Sequence, residues 1–380
     1  MKKNKHVIFV IIIIVFLLSN SITAVGLSIE EVQEQIDLNS LLDALPDSTK
    51  EYLPQDLRTS GNLINQIQNT DSNYFFEIIG NIINKLLPST TKKLTSLLGI
   101  IITFSIINTL KDNIGTPNYS KCLSLLTITI LSIFIYEFAN KIWKETEAYI
   151  SYIDALITAL IPIMTFLYTL GGNVSTAIVN SSSLAILLTF SNKFVYSCIL
   201  PLSKICFGLT IAGNIGNIKG VSKISKTLKS VFTLIFSTLI TVFSIFLFFK
   251  TNLSASADSA ATRTIKFAGS FIPVIGSALG ESVRSLMSGI SLIKSSVGFF
   301  GIILIVVITL PIFIKILSTK ICIDIAAFTA SLLGCEKESV FLKETSGVIN
   351  FLIAINFSTS LMFIFELIIF VTISPALGTT

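Results

Sequence analysis

The chain has 380 residues, of which 52% are hydrophobic and only 13% charged, with a net charge of +5 at neutral pH and a mean hydropathy of +0.82. Soluble domains carry about twice that charged fraction, so the composition excludes an ordinary soluble fold and points to an all-α, polytopic integral membrane protein. Its single histidine, His6, lies in the N-terminal segment, which excludes histidine catalysis and histidine metal ligation from the rest of the chain.

Lys2, Lys3 and Lys5 precede an apolar core at 7–18 and a small-residue stretch at 19–24. This is the pattern of a secretory signal peptide over residues 1–24, with an uncleaved anchor as the alternative. Either reading puts the next stretch of chain outside the cytoplasm. Residues 25–93 form an exported acidic region, in which ten carboxylates between Glu30 and Glu77 face only Lys50 and Arg58. Ile29, Val32, Ile36, Leu41, Leu42 and Leu45 recur at helical spacing, and Ser28 with Glu31 suits a capping box. A second amphipathic helix is expected over Asn73–Leu87, ending at Pro88. The region reads as a helical cap on the outer surface or as a docking face for a partner.

Eight apolar runs come next, at 94–110, 122–140, 152–170, 174–192, 194–213, 230–249, 297–317 and 347–370, each near the roughly 20 residues that cross a bilayer. The first two, within 94–140, stand apart as N-terminal transmembrane helices. Counted from an exported N-terminal region, the fifth run ends in the cytoplasm. The next loop carries Lys219, Lys223, Lys226 and Lys229 and no acid. The positive-inside rule therefore gives the same orientation, and it explains these lysines without any nucleic-acid partner.

A parallel internal repeat is suggested by four echoes. Pro162 matches Pro273, and the Pro201/Lys204 pair matches Pro311/Lys315. Ile205 and Cys206 match Ile321 and Cys322, and a long Phe-rich run closes each half. The halves are 151–250 and 251–370, and transporter folds place functional sites between such repeats.

The second half opens on an anomalous segment at 258–298, which holds Arg263, Lys266, Pro273, Glu281, Arg284 and Lys294 among many Gly and Ser residues. It is expected as a re-entrant or paired short-helix element, broken by Gly and Pro. Glu281 and Arg284 are three apart, within ion-pairing reach on a helix. They would line a passage, or else form a solvated surface pair. The small residues suit close helix packing, including packing against a second copy of the chain.

Lys204, Lys315 and Glu366 fall inside apolar runs, and ionisable groups at membrane depth are functional candidates; Lys315 lies near a predicted end and can snorkel. The five cysteines form no CxxC pair, and the sequence contains no P-loop, GxSxG, HExxH or Rossmann fingerprint. The expectation is a non-enzyme with no catalytic residue, cofactor or metal, whose energy, where needed, comes from a partner.

The segment from Ser256 to Ile316 resembles the characteristic stretch of the stage III sporulation protein AE family. The matching elements are Arg263 and Thr264 with Lys266 and Phe267, Phe271 to Val274, Leu292 to Lys294, Val297 with Gly298, and Pro311 with Lys315. The layout of the rest is similar. The resemblance implies a mother-cell membrane protein around the engulfed forespore, acting in the channel or secretion-like complex of the stage III sporulation AA–AH proteins. An ATPase is among those implied partners, and stage II sporulation protein Q meets the complex from the forespore side. Three readings stay open: a non-enzymatic channel component, an autonomous secondary transporter, or a purely structural scaffold.

Overall fold

The computed structural model describes residues 39–53, 73–114, 117–216, 220–221, 223–238, 241, 245 and 276–372. In the acidic region, α1 (Asn39–Asp43) and α2 (Asp47–Lys50) are separated at Pro46. Then come α3 (Asn73–Ile114), α4 (Pro117–Leu170), α5 (Val174–Phe194), a π-helical turn at Val195–Ile199, α6 (Leu200–Gly216), α7 (residues 223–238), α8 (Gly276–Leu332) and α9 (Glu336–Thr372). Among the described residues no strand occurs, and five helical stretches are long and apolar enough to cross a membrane. The protein is an all-α polytopic membrane protein, as the composition requires.

The expected crossings merge. Runs 122–140 and 152–170 are both parts of α4, and runs 174–192 and 194–213 join through the π turn into one rod. The linker at 141–151, KIWKETEAYIS, contains Lys, Glu and Ala and neither Gly nor Pro, so nothing in it stops a helix. At 1.5 Å per residue the 54 residues of α4 extend about 80 Å, against a hydrocarbon core of about 30 Å. One continuous helix can cross only once, so each merged pair counts as one candidate crossing.

The expected stop at Pro88 also fails, for α3 continues through it. Ser89 and Thr90 hydroxyls donate to the Leu86 carbonyl at 2.9 and 3.2 Å, whereas the carbonyl that Pro88 deprives of its amide partner is that of Asn84. The expected break in the second half is likewise not found in the described part of 258–298, where helix runs without interruption from Gly276. The Gly171–Gly172 turn therefore has no counterpart where the repeat would place one.

Two hairpins organise the bundle with the same turn chemistry. After α4, Gly172 (φ +79°) donates to Thr169 O and Asn173 to Tyr168 O; after α8, Gly334 (φ +77°) donates to Ser331 O and Cys335 to Ala330 O. These are Schellman closures, and the left-handed φ is why glycine stands at both. Asn173 and Cys335 then accept the first bonds of α5 and α9, from Ala177 and Ser339.

α8 packs against α9, α3 and α4, and forms the centre of the bundle. Its glycines permit the approach of α9. A Cβ on Gly298 would lie 2.2 Å from Val371 Cγ2, and one on Gly301 would lie 2.9 Å from Leu367 Cδ1. The described residues 39–53 of the acidic region pack against the bundle. Leu41, Leu45 and Leu53 join Ile78 and Ile82 in the buried core, and Glu51 pairs with Lys85.

Cross-helix bonds fix which ends lie together. Asn108 reaches Gly334 O, Thr127 reaches Glu338 and Asn214 reaches Glu344 at one end, which is also the end of the lysine-bearing residues 223–229. Tyr168, Lys294 and Phe370 meet at the other. Merging two pairs of runs keeps the parity of the chain, so the lysines still fall on the side of the α3–α4 connection. The Gly171–Asn173 turn moves to the opposite side from the one eight crossings give it.

In a cysteine-free background, Val174→Cys and Lys223→Cys should therefore react with an impermeant thiol reagent from opposite sides of the membrane; labelling from one side would restore the eight-crossing count. Gly298→Val should cost about 1–3 kcal/mol by overpacking, and adding Val371→Ala should recover much of it. Thermal unfolding in detergent reads both effects.

Candidate functional site

The charged middle of α4 is where the sequence-predicted lysines come together. Glu145 and Glu147 are two residues apart on a helix, hence on roughly opposite faces. Lys315 of α8 reaches Glu145 Oε1 at 3.2 Å, and Lys204 of α6 reaches Glu147 Oε1 at 3.3 Å. Each lysine follows a proline by three or four residues, and the two glutamates tie α4 to a different neighbour on each side. The π turn Val195–Ile199 sits just before Pro201, a common accommodation of a helical irregularity. Tyr196, within that turn, donates to Glu147 O at 2.9 Å.

The surroundings of the two pairs differ. Lys204 Nζ lies 5.8 Å from the ring centroid of Trp143, which is buried edge-to-face against Phe207 at 5.5 Å. Lys315 shares its neighbourhood with Lys93, whose Nζ donates to Thr319 Oγ1 at 3.1 Å and lies 5.7 Å from the Phe138 ring centroid. Both ion pairs are partly exposed, with side-chain exposures of 47% and 37% for Lys204 and Glu147 and 35% and 24% for Lys315 and Glu145.

One turn along α4 from Glu145 the contacts around Tyr149, Asn356 and Ser360 are buried, with Thr309 only partly so. Tyr149 donates to Asn356 O at 3.0 Å and also meets Ser360 Oγ, which meets Thr309 Oγ1 at 2.7 Å. Asn356 Nδ2 donates to Leu352 O at 2.7 Å and reaches Thr146 Oγ1 at 3.5 Å. This polar packet joins α4, α8 and α9 in an otherwise apolar core.

Lys294 is 3% exposed. Its ammonium lies 4.7 Å from the Tyr168 ring centroid and 5.1 Å from that of Phe370, and the two rings pack edge-to-face. A desolvated cation over aromatic faces gains about 2 kcal/mol or more. Glu366, also a sequence-predicted candidate, is 1% exposed on α9. Glu281 and Arg284 lie in the first turns of α8, where the backbone alone is described. Arg263, Lys266 and Pro273 lie outside the described residues.

Sequence reasoning missed Glu145 and Glu147, as well as Tyr149, Asn356, Thr309 and Ser360. A signal for the glutamates existed, since Glu137, Lys141, Lys144, Glu145 and Glu147 interrupt a helix that is apolar on both sides. No such signal marks the packet, because Ser, Thr and Tyr are ordinary residues of membrane helices. Of the lysine-rich stretch, Lys223 and Lys226 are exposed, whereas Lys229 donates to Glu344 O at 2.8 Å.

The chemistry here is positional. The charges tie α4 to α8 and to α6 across polar contacts. Lys315→Glu should lower the melting temperature of the purified chain in detergent, and Lys315→Glu with Glu145→Lys should restore much of it. A coupling of about 1 kcal/mol is expected between the two positions in melting experiments.

A family model described as stage III sporulation protein AE matches residues 58–374. A curated relative, stage III sporulation protein AE of Bacillus subtilis (strain 168), is 24% identical over 283 residues, covering 74% of this chain and 71% of the relative. No solved structure matches the chain.

Proposed function

The chain belongs to the stage III sporulation protein AE family and so serves sporulation, and we propose that it does so as a non-enzymatic membrane component of a channel or secretion-like complex between mother cell and forespore. In this reading it sits in the mother-cell membrane around the forespore, with its N-terminal acidic region outside the cytoplasm. Its partners are the other stage III sporulation AA–AH proteins, an ATPase among them, and stage II sporulation protein Q across the intermembrane space.

The observation that carries the reading is the seam around α4. A helix far longer than a bilayer crossing is held to its neighbours by Glu145–Lys315, Glu147–Lys204 and a hydroxyl packet. Polar groups at helix–helix contacts are what a water-accessible path between helices requires. The sequence offers no phosphate-binding loop, so any nucleotide-driven work falls to a partner. The acidic region, folded against α3 and α4, leaves Asp43 and Asp47 exposed on the side assigned to the intermembrane space.

The secondary-transporter reading draws on buried Lys294 and Glu366, and it makes a different demand. A transporter works alone, whereas a channel component works in its assembly. Affinity purification of the full chain from sporulating cells should bring down the ATPase and the other stage III AA–AH proteins. The Lys204→Glu variant should retain those partners while losing spore yield. Solute uptake by the purified chain alone in liposomes would overturn the channel reading, and loss of assembly in the variant would reduce the chain to a scaffold.

A further inference from the structure

The two apolar stretches of α4, 122–140 and 152–170, are each about 28 Å long at 1.5 Å per residue, close to a hydrocarbon core of about 30 Å. Between them stand Lys141, Lys144, Glu145 and Glu147. A bilayer centred on 141–151 would hold this whole charged level at its midplane, at a cost for every group. Laid over either apolar stretch, it has one of its water boundaries there. The neighbouring helices change character at the same level. The apolar run of α3 begins just past Lys92 and Lys93, and that of α8 closes around Lys315. Trp143 and the exposed Tyr136 and Tyr196 stand at this level too, and such aromatic residues collect at membrane boundaries.

Three ammonium groups from three helices meet here. Lys93 of α3 donates to Thr319 Oγ1 of α8 at 3.1 Å, and Lys315 of α8 pairs with Glu145 Oε1 of α4 at 3.2 Å. Lys93 is near enough to Lys141, Lys315 and Glu145 to feel the charge of each, and Glu145 is the one carboxylate among those neighbours. Among the described residues neither Lys93 nor Lys141 forms an ion pair. Glu137, one turn before Lys141, is exposed and pairs with neither, and Asp324 is taken by Lys320. Three positive charges therefore share one carboxylate.

These groups open on the outside of the bundle. Lys141 is exposed, and Lys93 and Lys315 are half-buried, so a ligand reaches them from the surface. The acceptor of Lys93 is a neutral hydroxyl that spends its own hydrogen on Lys315 O at 2.8 Å. An occupant must bring negative charge and several acceptor oxygens to a level where lipid meets water. A phospholipid phosphate meets both demands, since lysine binds phosphate as a point charge and basic groups beside a membrane attract anionic lipid. Within the next two or three turns the same helices expose Ile102, Ile133, Ile321 and Ile325, apolar surface against which acyl chains can lie.

We propose that Lys93, Lys141 and Lys315 form a binding site for the phosphate of an anionic phospholipid at the membrane boundary. The bound headgroup supplies the charge that the three helices lack and ties α3 to α4 and α8. The site is independent of the channel reading, and it would stand in a transporter as well.

The test uses the full chain in nanodiscs of phosphatidylcholine, alone or mixed with phosphatidylglycerol, and reads the fluorescence of Trp143, the single tryptophan of the chain. Phosphatidylglycerol should raise the melting temperature by about 3 °C. Lys93→Gln with Lys141→Gln should lose most of that rise, whereas Lys223→Gln with Lys226→Gln, which removes two exposed lysines elsewhere, should keep it. Should the first pair fail to fold, Lys141→Gln alone must still reduce the rise. Phospholipid brominated near the headgroup should quench Trp143 more strongly than phospholipid brominated at the chain ends. Equal melting in the two lipids, equal losses in the two pairs of variants, or stronger quenching from the chain ends overturns the site. An equal rise from inorganic phosphate added to the phosphatidylcholine discs overturns it as well, by assigning the lysines to a soluble anion.

Discussion

A carboxylate that α4 carries into the bundle has to be met from within it. Both pairs are partly exposed, so each carboxylate gives up only part of its hydration and each pair is worth about 1 kcal/mol or less. Glu145 and Glu147 meet the requirement in opposite directions, one toward α8 and one toward α6. That arrangement ties the charged stretch of a single helix to a different neighbour on each side. It also sets the register of the two lysine-bearing helices against α4, and the remaining contacts build outward from there. The packet at Tyr149 lies one helical turn beyond Glu145, and the aromatic cluster of Trp143 and Phe207 lies against Lys204.

A different principle closes the α8–α9 seam. Gly298 and Gly301 bring the backbone of α8 within side-chain reach of Leu367 and Val371, and dispersion over a close apolar contact is the main attraction available where lipid competes equally for apolar surface. The two seams thus rest on unlike forces. One is directional and polar, and the other depends on shape.

Fold class was legible because composition alone decides it, and the odd number of crossings before the lysine-rich residues survived the merging of runs. Helix boundaries were not legible, for a local reason. Hydropathy marks where a chain can enter lipid, but Lys, Glu and Ala at 141–151 interrupt hydropathy without interrupting helix. Pro88 misled in the same way, since a proline removes one helical hydrogen bond without having to end a long apolar helix. Lys204 and Lys315 were recognisable as isolated charges, whereas their partners were not. Glu147 is 57 residues from Lys204 and Glu145 is 170 from Lys315, and only the packing of α4 brings them near. Asn356 and Ser360 carried no signal at all: a hydroxyl or amide in an apolar run looks alike whether it bonds its own helix or bridges three.

The contrast between the seams decides where such a bundle can open. Separating α8 from α9 would exchange close apolar contact at Gly298 and Gly301 for lipid or a void, and would return hydration only at the Thr309–Ser360 and Ser339–Ala327 contacts. Separating α4 from α8 and α9 would expose Glu145, Lys315, Tyr149 and Ser360, each of which regains bonds with water. Part of the cost of opening is then recovered at every polar group along the seam. Helices that stay continuous from end to end move as rods, so opening at one level of this seam is transmitted along its length. The polar seam of α4 is accordingly the face along which water-filled space can form with least loss, and the glycine-packed pair α8–α9 is the wall against which it forms.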